Sequence, residues 1–525
     1  MFYFILGFES EINGDWESSL KYYKDAQRLD DDPYLNIRII NMLIKTGKME
    51  EALSLAEETV NKNPEYIQGL KTLGDLYNAN KKIEEAIQTF YKILKIDPTN
   101  KDARLHLGVL YISKGETDKS IEMFDSILKE DPENVMALFY KGSIYFETKQ
   151  YDKSIEEFSK IMEINPQYDP AIFNLGIINE VIGNTKKAEE YYKKVLEINP
   201  HNLTAKERLG RLYLSDKSYD KAIETLEEMS QYMPKNIDLH KKLGLLYLQQ
   251  KRYDDAIAQL RIVLQARPDD NITRYYLSIA LAELKRYKEA EDELRNVILN
   301  EPKNVNAFMS LALIYNKQKR HKEAIQLYEE VLTFSKDSVD TFIYLAMEYM
   351  EVKDFSAAEQ TLEIAKELFS DNEEVYFQLA VLYEKTKDFD KMVSYLKKTL
   401  SINPNHADAL NFLGYSYADK GINLDEALDL IQKALKIKPK SGYIIDSLGW
   451  VYFRLGRYED ALIQLQRALE YVNNDPVIYE HLGDVYEKLN NKEKAIESWQ
   501  NALKYHEKEE GLKERVEEKI NRYMK

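Results

Sequence analysis

The sequence predicts an all-α solenoid, in which about fifteen helix–turn–helix repeats of 34 residues wind into a right-handed superhelix. Three observations predict it: a small residue recurs every 34 positions, a second small residue follows twelve positions later, and a proline closes most repeats. The composition agrees, because only 19 Gly and 13 Pro stand beside 31% charged residues, which is typical of long amphipathic helices.

The first small residue marks the first helix of each repeat, which we call helix A. A small side chain there lets helix A approach the second helix, helix B, closely. An aromatic residue three positions later lies on the same helical face and is predicted to fill the gap to helix B. The small residues are Gly74, Gly108, Gly142, Gly176, Gly210, Gly244, Ser278, Ala312, Ala346, Ala380, Gly414, Gly449 and Gly483. The same phase reaches back to Ile40 and Gly7, which places the apolar run from Phe2 to Phe8 in helix A of the first repeat.

Helix B carries the second small residue, and the proline ends it, since proline supplies no N–H for a further helical hydrogen bond. The second small residues include Ala52, Ala86, Ser120, Ser154, Ala188, Ala222, Ala256, Ala290, Ala324, Ala358, Ala461 and Ala495. The closing prolines are Pro64, Pro98, Pro132, Pro166, Pro200, Pro234, Pro268, Pro302, Pro404 and Pro439.

Irregularities in this pattern predict subdivisions of the chain. Lys336 and Ser370 replace the closing proline of units ten and eleven, and Met392 replaces the alanine of unit twelve, which predicts looser packing or a changed pitch there. One extra residue lies in the turn of unit thirteen, between Gly421 and Ala427. We expect units 1–2 at 1–66, units 3–10 at 67–336, less regular units 11–12 at 337–405, units 13–15 at 406–507, and a capping helix at 508–525.

Residue types and charge argue against several function classes. The chain has no cysteine, which excludes disulfides and thiolate metal sites, and its seven histidines form no metal-binding pair. No phosphate-binding glycine loop or nucleophile motif occurs. A net charge of −17 disfavours nucleic acid and anionic membranes as partners, and the apolar N-terminal run is too short to span a bilayer. We expect no catalytic residue, no cofactor, no metal and no membrane span.

The repeat pattern L-G-x-x-Y, followed by A-x-x-x-F/Y/L and then P, resembles the tetratricopeptide-repeat (TPR) motif. The resemblance implies a non-catalytic scaffold or adaptor that binds a protein or peptide in a concave groove lined by helix A. It also implies that side chains three before, one after and four after the small residue face this groove; we call these the groove positions.

The groove positions are apolar in two stretches, which would suit an extended or helical peptide. Between the stretches lies a collar of charged residues: Glu207, Arg208, Arg211, Lys241 and Lys242. The first stretch, in units four to six, has Leu105, Val109, Ile112, Phe139, Phe146, Phe173 and Ile177. The second, in units nine to twelve, has Tyr275, Ile279, Met309, Leu313, Ile343, Met347, Met350, Phe377 and Val381. The alternative interpretation is that these side chains partly pack against neighbouring helices.

The C-terminal units combine aromatic and charged residues, as binding hot spots do. The candidates are Tyr415, Tyr443, Asp446, Trp450 and Arg454, although simple helix packing explains Trp450 equally well. The strings from Leu413 to Trp499, such as DSLGWVYFRLGRYEDAL, resemble the C-terminal repeats of bacterial TPR proteins that are often exported. This resemblance implies a scaffold in envelope assembly or secretion, in the periplasm or at the outer membrane rather than the cytoplasm. The client and the oligomeric state stay open.

One specific binding mode is disfavoured, and two other function classes compete with the scaffold. A carboxylate clamp for chaperone tails, as some TPR proteins have, is incomplete, because Asn174 and Arg208 match the expected residues but Phe139, Ser143 and Thr204 do not. The chain could recruit substrates for an enzyme on another chain, for example a glycosyltransferase. RNA binding would need basic residues along the groove, and the acidic balance argues against it.

Overall fold

The computed structural model describes residues 1–509 and 511–524, and this part of the chain forms thirty-one α-helices without a β-strand. The first fifteen are α1 Phe2–Ile12, α2 Trp16–Gln27, α3 Pro33–Lys45, α4 Met49–Lys62, α5 Ile67–Ala79, α6 Ile83–Ile96, α7 Lys101–Lys114, α8 Thr117–Glu130, α9 Val135–Glu147, α10 Tyr151–Ile164, α11 Asp169–Val181, α12 Thr185–Ile198, α13 Leu203–Ser215, α14 Tyr219–Tyr232 and α15 Ile237–Gln249. The others are α16 Tyr253–Ala266, α17 Asn271–Glu283, α18 Tyr287–Asn300, α19 Val305–Lys317, α20 His321–Phe334, α21 Val339–Glu351, α22 Phe355–Leu368, α23 Glu373–Lys385, α24 Phe389–Ile402, α25 Ala407–Lys420, α26 Leu424–Ile437, α27 Gly442–Arg454, α28 Tyr458–Tyr471, α29 Pro476–Lys488, α30 Lys492–Lys504 and α31 Leu512–Met524.

The helices alternate as helix A and helix B of the predicted repeats, and the prediction of an all-α solenoid is confirmed. The chain divides into two compact units, Met1–Leu246 and Tyr247–Lys525. In each unit, a helix contacts the helix before it and the helix after it. No helix within the described residues combines the length and the apolar character that crossing a membrane requires.

The junction between repeats has a simple chemical basis. Proline follows the end of helix B, and in several repeats an asparagine two residues after it caps the next helix A. The side-chain oxygen of Asn100 accepts a hydrogen bond from the backbone N–H of Ala103 at 2.9 Å, and Asn134 accepts one from Ala137 at 3.1 Å. Such caps pair backbone donors that have no partner inside the helix.

The small residue of helix A packs against the side chain sixteen residues later, on helix B. A Cβ atom at Gly108 would lie 2.5 Å from the Phe124 ring, and one at Gly176 would lie 2.6 Å from the Tyr192 ring. The Ser120 hydroxyl also donates a hydrogen bond to the Gly108 carbonyl at 2.7 Å. In these repeats, therefore, glycine makes room for an aromatic ring rather than for a neighbouring backbone.

The turn from helix A to helix B contains a residue in the left-handed backbone region, seven positions after the small residue. Glycine takes this position in some repeats, as Gly115 does with φ 74°, and lysine takes it in many others. The lysines are Lys81, Lys149, Lys217, Lys251, Lys285, Lys319, Lys353 and Lys387, with φ between 57° and 63°. Because lysine is not a typical turn residue, the sequence pattern did not reveal this constraint.

The irregular units keep helices of ordinary length. Without a closing proline, residues 335–338 connect α20 to α21 in a stretch without a hydrogen-bonded turn. One hydrophobic cluster nevertheless runs from Phe342 on α21 to Val451 on α27. The inserted residue of unit thirteen is accommodated by two left-handed residues, Gly421 with φ 71° and Asn423 with φ 48°.

Candidate partner-binding surface

Four predicted groove residues form a row on the helices A of units nine to twelve. Ile279, Leu313, Met347 and Val381 each lie one position after the small residue of their repeat. Leu313 is 50% exposed and Met347 is 41% exposed, whereas Ile279 and Val381 are half-buried. We call these four side chains the apolar row. Leu313 and Met347 offer apolar surface that the described residues leave uncovered.

The other predicted residues of this stretch lie deeper. Tyr275, Met309 and Phe377 are half-buried. The Phe377 ring lies 4.8 Å from the His406 ring, measured between centroids. Ile343 is only 5% exposed and packs in the hydrophobic cluster, and Met350 is 4% exposed. The groove positions of α21 therefore differ in accessibility, although they share a repeat.

In the first predicted stretch, most side chains pack partly against the core. Leu105, Val109 and Phe139 are half-buried, and the Phe139 ring meets the Phe158 ring edge-on at 5.6 Å. Ile112 is 39% exposed. The remaining members are half-buried: Phe146, Phe173 and Ile177. This stretch offers less accessible apolar surface than the apolar row.

Arg208, from the predicted charged collar, joins this stretch. Its guanidinium lies 5.9 Å from the centroid of the Phe173 ring and 3.1 Å from a carboxylate oxygen of Glu180. Glu180 also accepts a hydrogen bond from the Tyr192 hydroxyl. The Arg208 cation is thus paired within the protein.

Most of the C-terminal candidates gather around His481, which the sequence pattern did not single out. The His481 ring stacks on Trp450 with a centroid distance of 4.1 Å, and its Nδ1 lies 2.9 Å from an Asp446 carboxylate oxygen. The centroid of the Tyr415 ring lies 6.3 Å from that of the His481 ring, and the guanidinium carbon of Arg454 lies 5.9 Å from the centroid of the Trp450 ring. The sequence did contain one signal for this contact. His481 lies 35 residues after Asp446, so the two residues occupy neighbouring positions on consecutive helices A.

Burial separates these residues into buried and accessible ones. Asp446 is 6% exposed and Trp450 is 9% exposed, whereas Tyr443 is 58% exposed. Burial favours neutral His481, but the Asp446 carboxylate outweighs it and raises the pKa of His481. The Trp450 indole N–H is buried and has no hydrogen-bond partner among the described residues. Most of the Trp450 side chain is therefore packed inside the protein, and little of it is accessible to a partner.

A recurrent polar contact, which the repeat pattern did not reveal, joins consecutive repeats. The Tyr213 hydroxyl donates a hydrogen bond at 2.9 Å to Glu189, which lies 24 residues earlier on helix B of the preceding repeat. The same spacing recurs in Tyr315 and Glu291, at 2.9 Å. A cation stacks on each tyrosine, such as Lys221 at 5.2 Å from the Tyr213 ring. The repeated aromatic therefore links repeats in addition to filling space.

A cavity of about 330 Å³ adjoins the C-terminal candidates. It lies between α23, α24 and α25, and Tyr415 belongs to its lining. Tyr383, Met392 and Phe412 also line it, so the methionine that replaces the usual alanine of unit twelve faces this space.

Comparisons with known proteins identify the same repeats. The model of the cytochrome c-type biogenesis protein H TPR domain matches residues 46–172. Models described as tetratricopeptide repeat match residues 183–246, 213–276, 247–314, 290–339, 373–406 and 477–508, and a TPR repeat model matches residues 449–490. Together these ranges cover more than half of the chain.

One curated relative is a TPR repeat-containing protein of Pseudomonas aeruginosa, which is 41% identical over 71 residues. The match covers 14% of this chain and only 12% of the length of that relative.

Solved structures with similar repeats have low sequence identity. The APC/C hetero-tetramer Cut9–Hcn1 is 14% identical, with a TM-score of 0.40, and the match covers 98% of this chain and 96% of that one. Yeast Tom70 is 18% identical, with a TM-score of 0.38, and the match covers 86% of this chain and 94% of the Tom70 chain. A tetratricopeptide repeat protein from Parabacteroides merdae is 20% identical, with a TM-score of 0.34, and the match covers 47% of this chain and 98% of that protein's chain. The 34-residue helix pairs and the matched family models lead to one conclusion: this chain belongs to the tetratricopeptide-repeat family.

Proposed function

We propose that the chain is a scaffold that binds a protein partner through the helix A surfaces of units nine to twelve. The apolar row carries this proposal. Leu313 and Met347 stand at the same position of consecutive repeats and expose 50% and 41% of their surface. Uncovered apolar surface that continues over neighbouring repeats is typical of sites where another protein binds.

The partner that fits this row is an apolar segment, such as one face of an amphipathic helix. The row supplies side chains without charge, so it binds by burying apolar area rather than by pairing ions. Half-buried Tyr275 and Phe377 flank it and would add aromatic contacts.

The test is capture of partners from native lysate by the full chain and by a Leu313→Glu/Met347→Glu variant. Both side chains are exposed, so the substitutions change the surface with little effect on the core. We expect the wild type to retain a partner that the variant loses. A photo-crosslinking residue at position 347 should join the same partner covalently.

The matched control is Leu299→Glu/Ile364→Glu, because Leu299 and Ile364 are 77% and 49% exposed but lie on helices B. This control adds the same charge and should retain the partner. A partner that both variants retain equally would contradict binding at the apolar row.

We further propose that this scaffold acts in the bacterial envelope, in assembly or secretion. It is supported by the resemblance of the repeats from Leu413 to Trp499 to those of exported bacterial TPR proteins, and by the partial match to a bacterial protein. Separate capture from cytoplasmic and envelope fractions tests it. Partners found only in the cytoplasmic fraction would contradict it.

A further inference from the structure

The last helix, α31, covers two predicted groove positions of unit fifteen. Glu480 and Asp484 lie three before and one after Gly483, and they are 6% and 9% exposed. Arg515 Nη2 lies 3.0 Å from Glu480 Oε2. Lys519 Nζ lies 2.8 Å from Glu480 Oε1 and 2.6 Å from Asp484 Oδ2. Two cations, four residues apart on α31, thus meet two carboxylates, four residues apart on α29.

An apolar stripe on α31 flanks these ion pairs. Leu512, Val516 and Ile520 recur every four residues and are at most 7% exposed. They belong to one hydrophobic cluster with residues of α29 and α30, including Val485 and Trp499. The Trp499 indole N–H donates to Asp484 at 3.0 Å, which fixes this carboxylate beside the stripe. The surface therefore recognises both an apolar stripe and a pair of cations.

α31 takes the position of a following helix A, because Arg515 and Lys519 meet carboxylates 35 residues earlier just as His481 meets Asp446, but it lacks one feature of a repeat. The position 34 residues after Gly483 is Glu517, which is exposed, so α31 lacks the small residue that packs against a helix B. Its outer face is charged and exposed: Lys513, Glu514, Glu517 and Glu518. A short connection with one 3-10 helix, His506–Lys508, and left-handed Gly511 precedes it. α31 thus packs on unit fifteen as an amphipathic helix with a polar outer face.

The ion pairs contribute more to the specificity of α31 docking than to its stability. Burial would raise the pKa of Glu480, but hydrogen bonds from Arg515 and Lys519 lower it on balance. Burial raises the pKa of Asp484 in spite of the Lys519 ammonium, so this carboxylate is costly to keep ionised. Buried ion pairs of this kind recover little net free energy, yet a helix without the cations would leave buried charges unpaired.

We propose that the surface formed by α29 and α30 is a docking site for an amphipathic partner helix with two cations four residues apart beside an apolar stripe, and that α31 is its resident occupant. Such a partner helix displaces α31 and takes over the contacts with Glu480 and Asp484. This site shares no residue with the apolar row and does not depend on the function proposed for it.

The experiment uses the full chain and a fluorescent, terminally blocked peptide with the sequence of residues 511–524. A tethered helix competes at an effective concentration on the order of millimolar, so the wild type should bind the peptide weakly. In an Arg515→Glu/Lys519→Glu chain, the resident helix meets Glu480 and Asp484 with like charges. We expect this chain to bind the peptide at least about tenfold more tightly than the wild type.

The control chain, Lys513→Glu/Arg522→Glu, carries the same charge change on exposed positions and should bind as weakly as the wild type. A peptide with glutamate at positions 515 and 519 should bind none of the chains. Equal affinity of all three chains, or equal binding of the reversed peptide, would overturn the proposal. Wild-type dimers that the peptide dissociates would make the occupant a second copy and would overturn it too.

Hydrogen exchange of the wild type keeps the proposal testable if the charge-reversed chain fails to fold. We expect the amides of α31 to exchange through a local opening that leaves α29 and α30 protected. Exchange of α31 only together with α29 and α30 would show that it is a permanent part of the fold and would overturn the proposal.

Discussion

At the scale of single residues, the small residue of helix A does not meet the same neighbour in every repeat. At Gly176 an added Cβ would lie 2.6 Å from the Tyr192 ring, whereas at Gly210 it would lie 3.6 Å from Leu226. Tyr192 is fully buried, and its hydroxyl donates to Glu180, so its ring is not free to move aside. Glycine is thus required at one position and replaceable at the other.

We expect Gly176→Ala to lower the free energy of unfolding by about 1–3 kcal/mol, since the methyl group overpacks the site. Gly210→Ala should raise it by up to about 1 kcal/mol, because alanine favours a helix and its methyl group would make only ordinary van der Waals contacts. Urea denaturation of both variants measures the difference. Equal effects of the two substitutions would show that the Tyr192 contact does not restrict position 176.

Lysines in left-handed turns indicate strain that the repeat tolerates. Lys353 has φ 61° and is exposed. We expect Lys353→Gly to raise the free energy of unfolding by about 0.5–1 kcal/mol, since glycine adopts this conformation without the steric cost that a side chain incurs. Lys353→Ala keeps the Cβ atom and serves as the control. A stability gain in the alanine variant as large as in the glycine variant would assign the effect to the lost charge.

At the scale of helices, polar contacts between consecutive repeats add to the apolar packing. Hydrogen bonds from Lys193 at 2.8 Å, Tyr213 at 2.9 Å and Lys221 at 3.2 Å converge on Glu189. Together these contacts lower the pKa of Glu189 to about 2, and the hydrogen bond from Lys193 contributes most to this change. One carboxylate thus connects α12 with α13 and α14.

A lowered pKa stabilises the folded chain above the pKa of the unfolded chain, about 4.3, and this contribution disappears as the pH falls towards 2. We expect Glu189→Gln to lower the free energy of unfolding by about 0.5–1 kcal/mol at pH 7, a modest value because solvent screens this partly exposed group. The difference from wild type should shrink in urea denaturation as the pH falls from about 5 towards 2, through the range between the two pKa values. Glu190→Gln controls for the loss of one charge on the exposed side of the same helix. A difference that stays constant over this range would contradict the role of Glu189.

At the scale of the whole molecule, contacts connect helices that are close in sequence. Within each compact unit, a helix packs on its neighbours in the chain, so stability accumulates from local interfaces. The hydrophobic cluster from Phe342 to Val451 therefore depends on its own helices and not on distant repeats.

This organisation predicts that damage stays local. Gly176→Ala should accelerate amide hydrogen exchange in α11 and α12 and leave the rates in α21–α27 unchanged. Mass spectrometry of peptides from both regions measures the effect. Equal acceleration in both regions would indicate that the whole chain unfolds in a single cooperative step.

Much of the candidate site could be predicted from the sequence, because a 34-residue period places equivalent residues on equivalent faces. It located Leu313 and Met347, which are exposed, but it also selected Ile343, Asp446 and Trp450, which are buried. A period fixes the direction of a side chain relative to its own helix. It does not say whether the next repeat covers that side chain.

The sequence by itself determined the helix pairs, their length and their order, since small residues, prolines and caps act within one 34-residue repeat. Only the tertiary structure decided which groove positions are accessible, that His481 joins Asp446 and Trp450, and that α31 lies on Glu480 and Asp484. These contacts bring together residues on different helices, 31 or more positions apart. Their formation depends on the shapes and charges of both partners, which no local pattern contains.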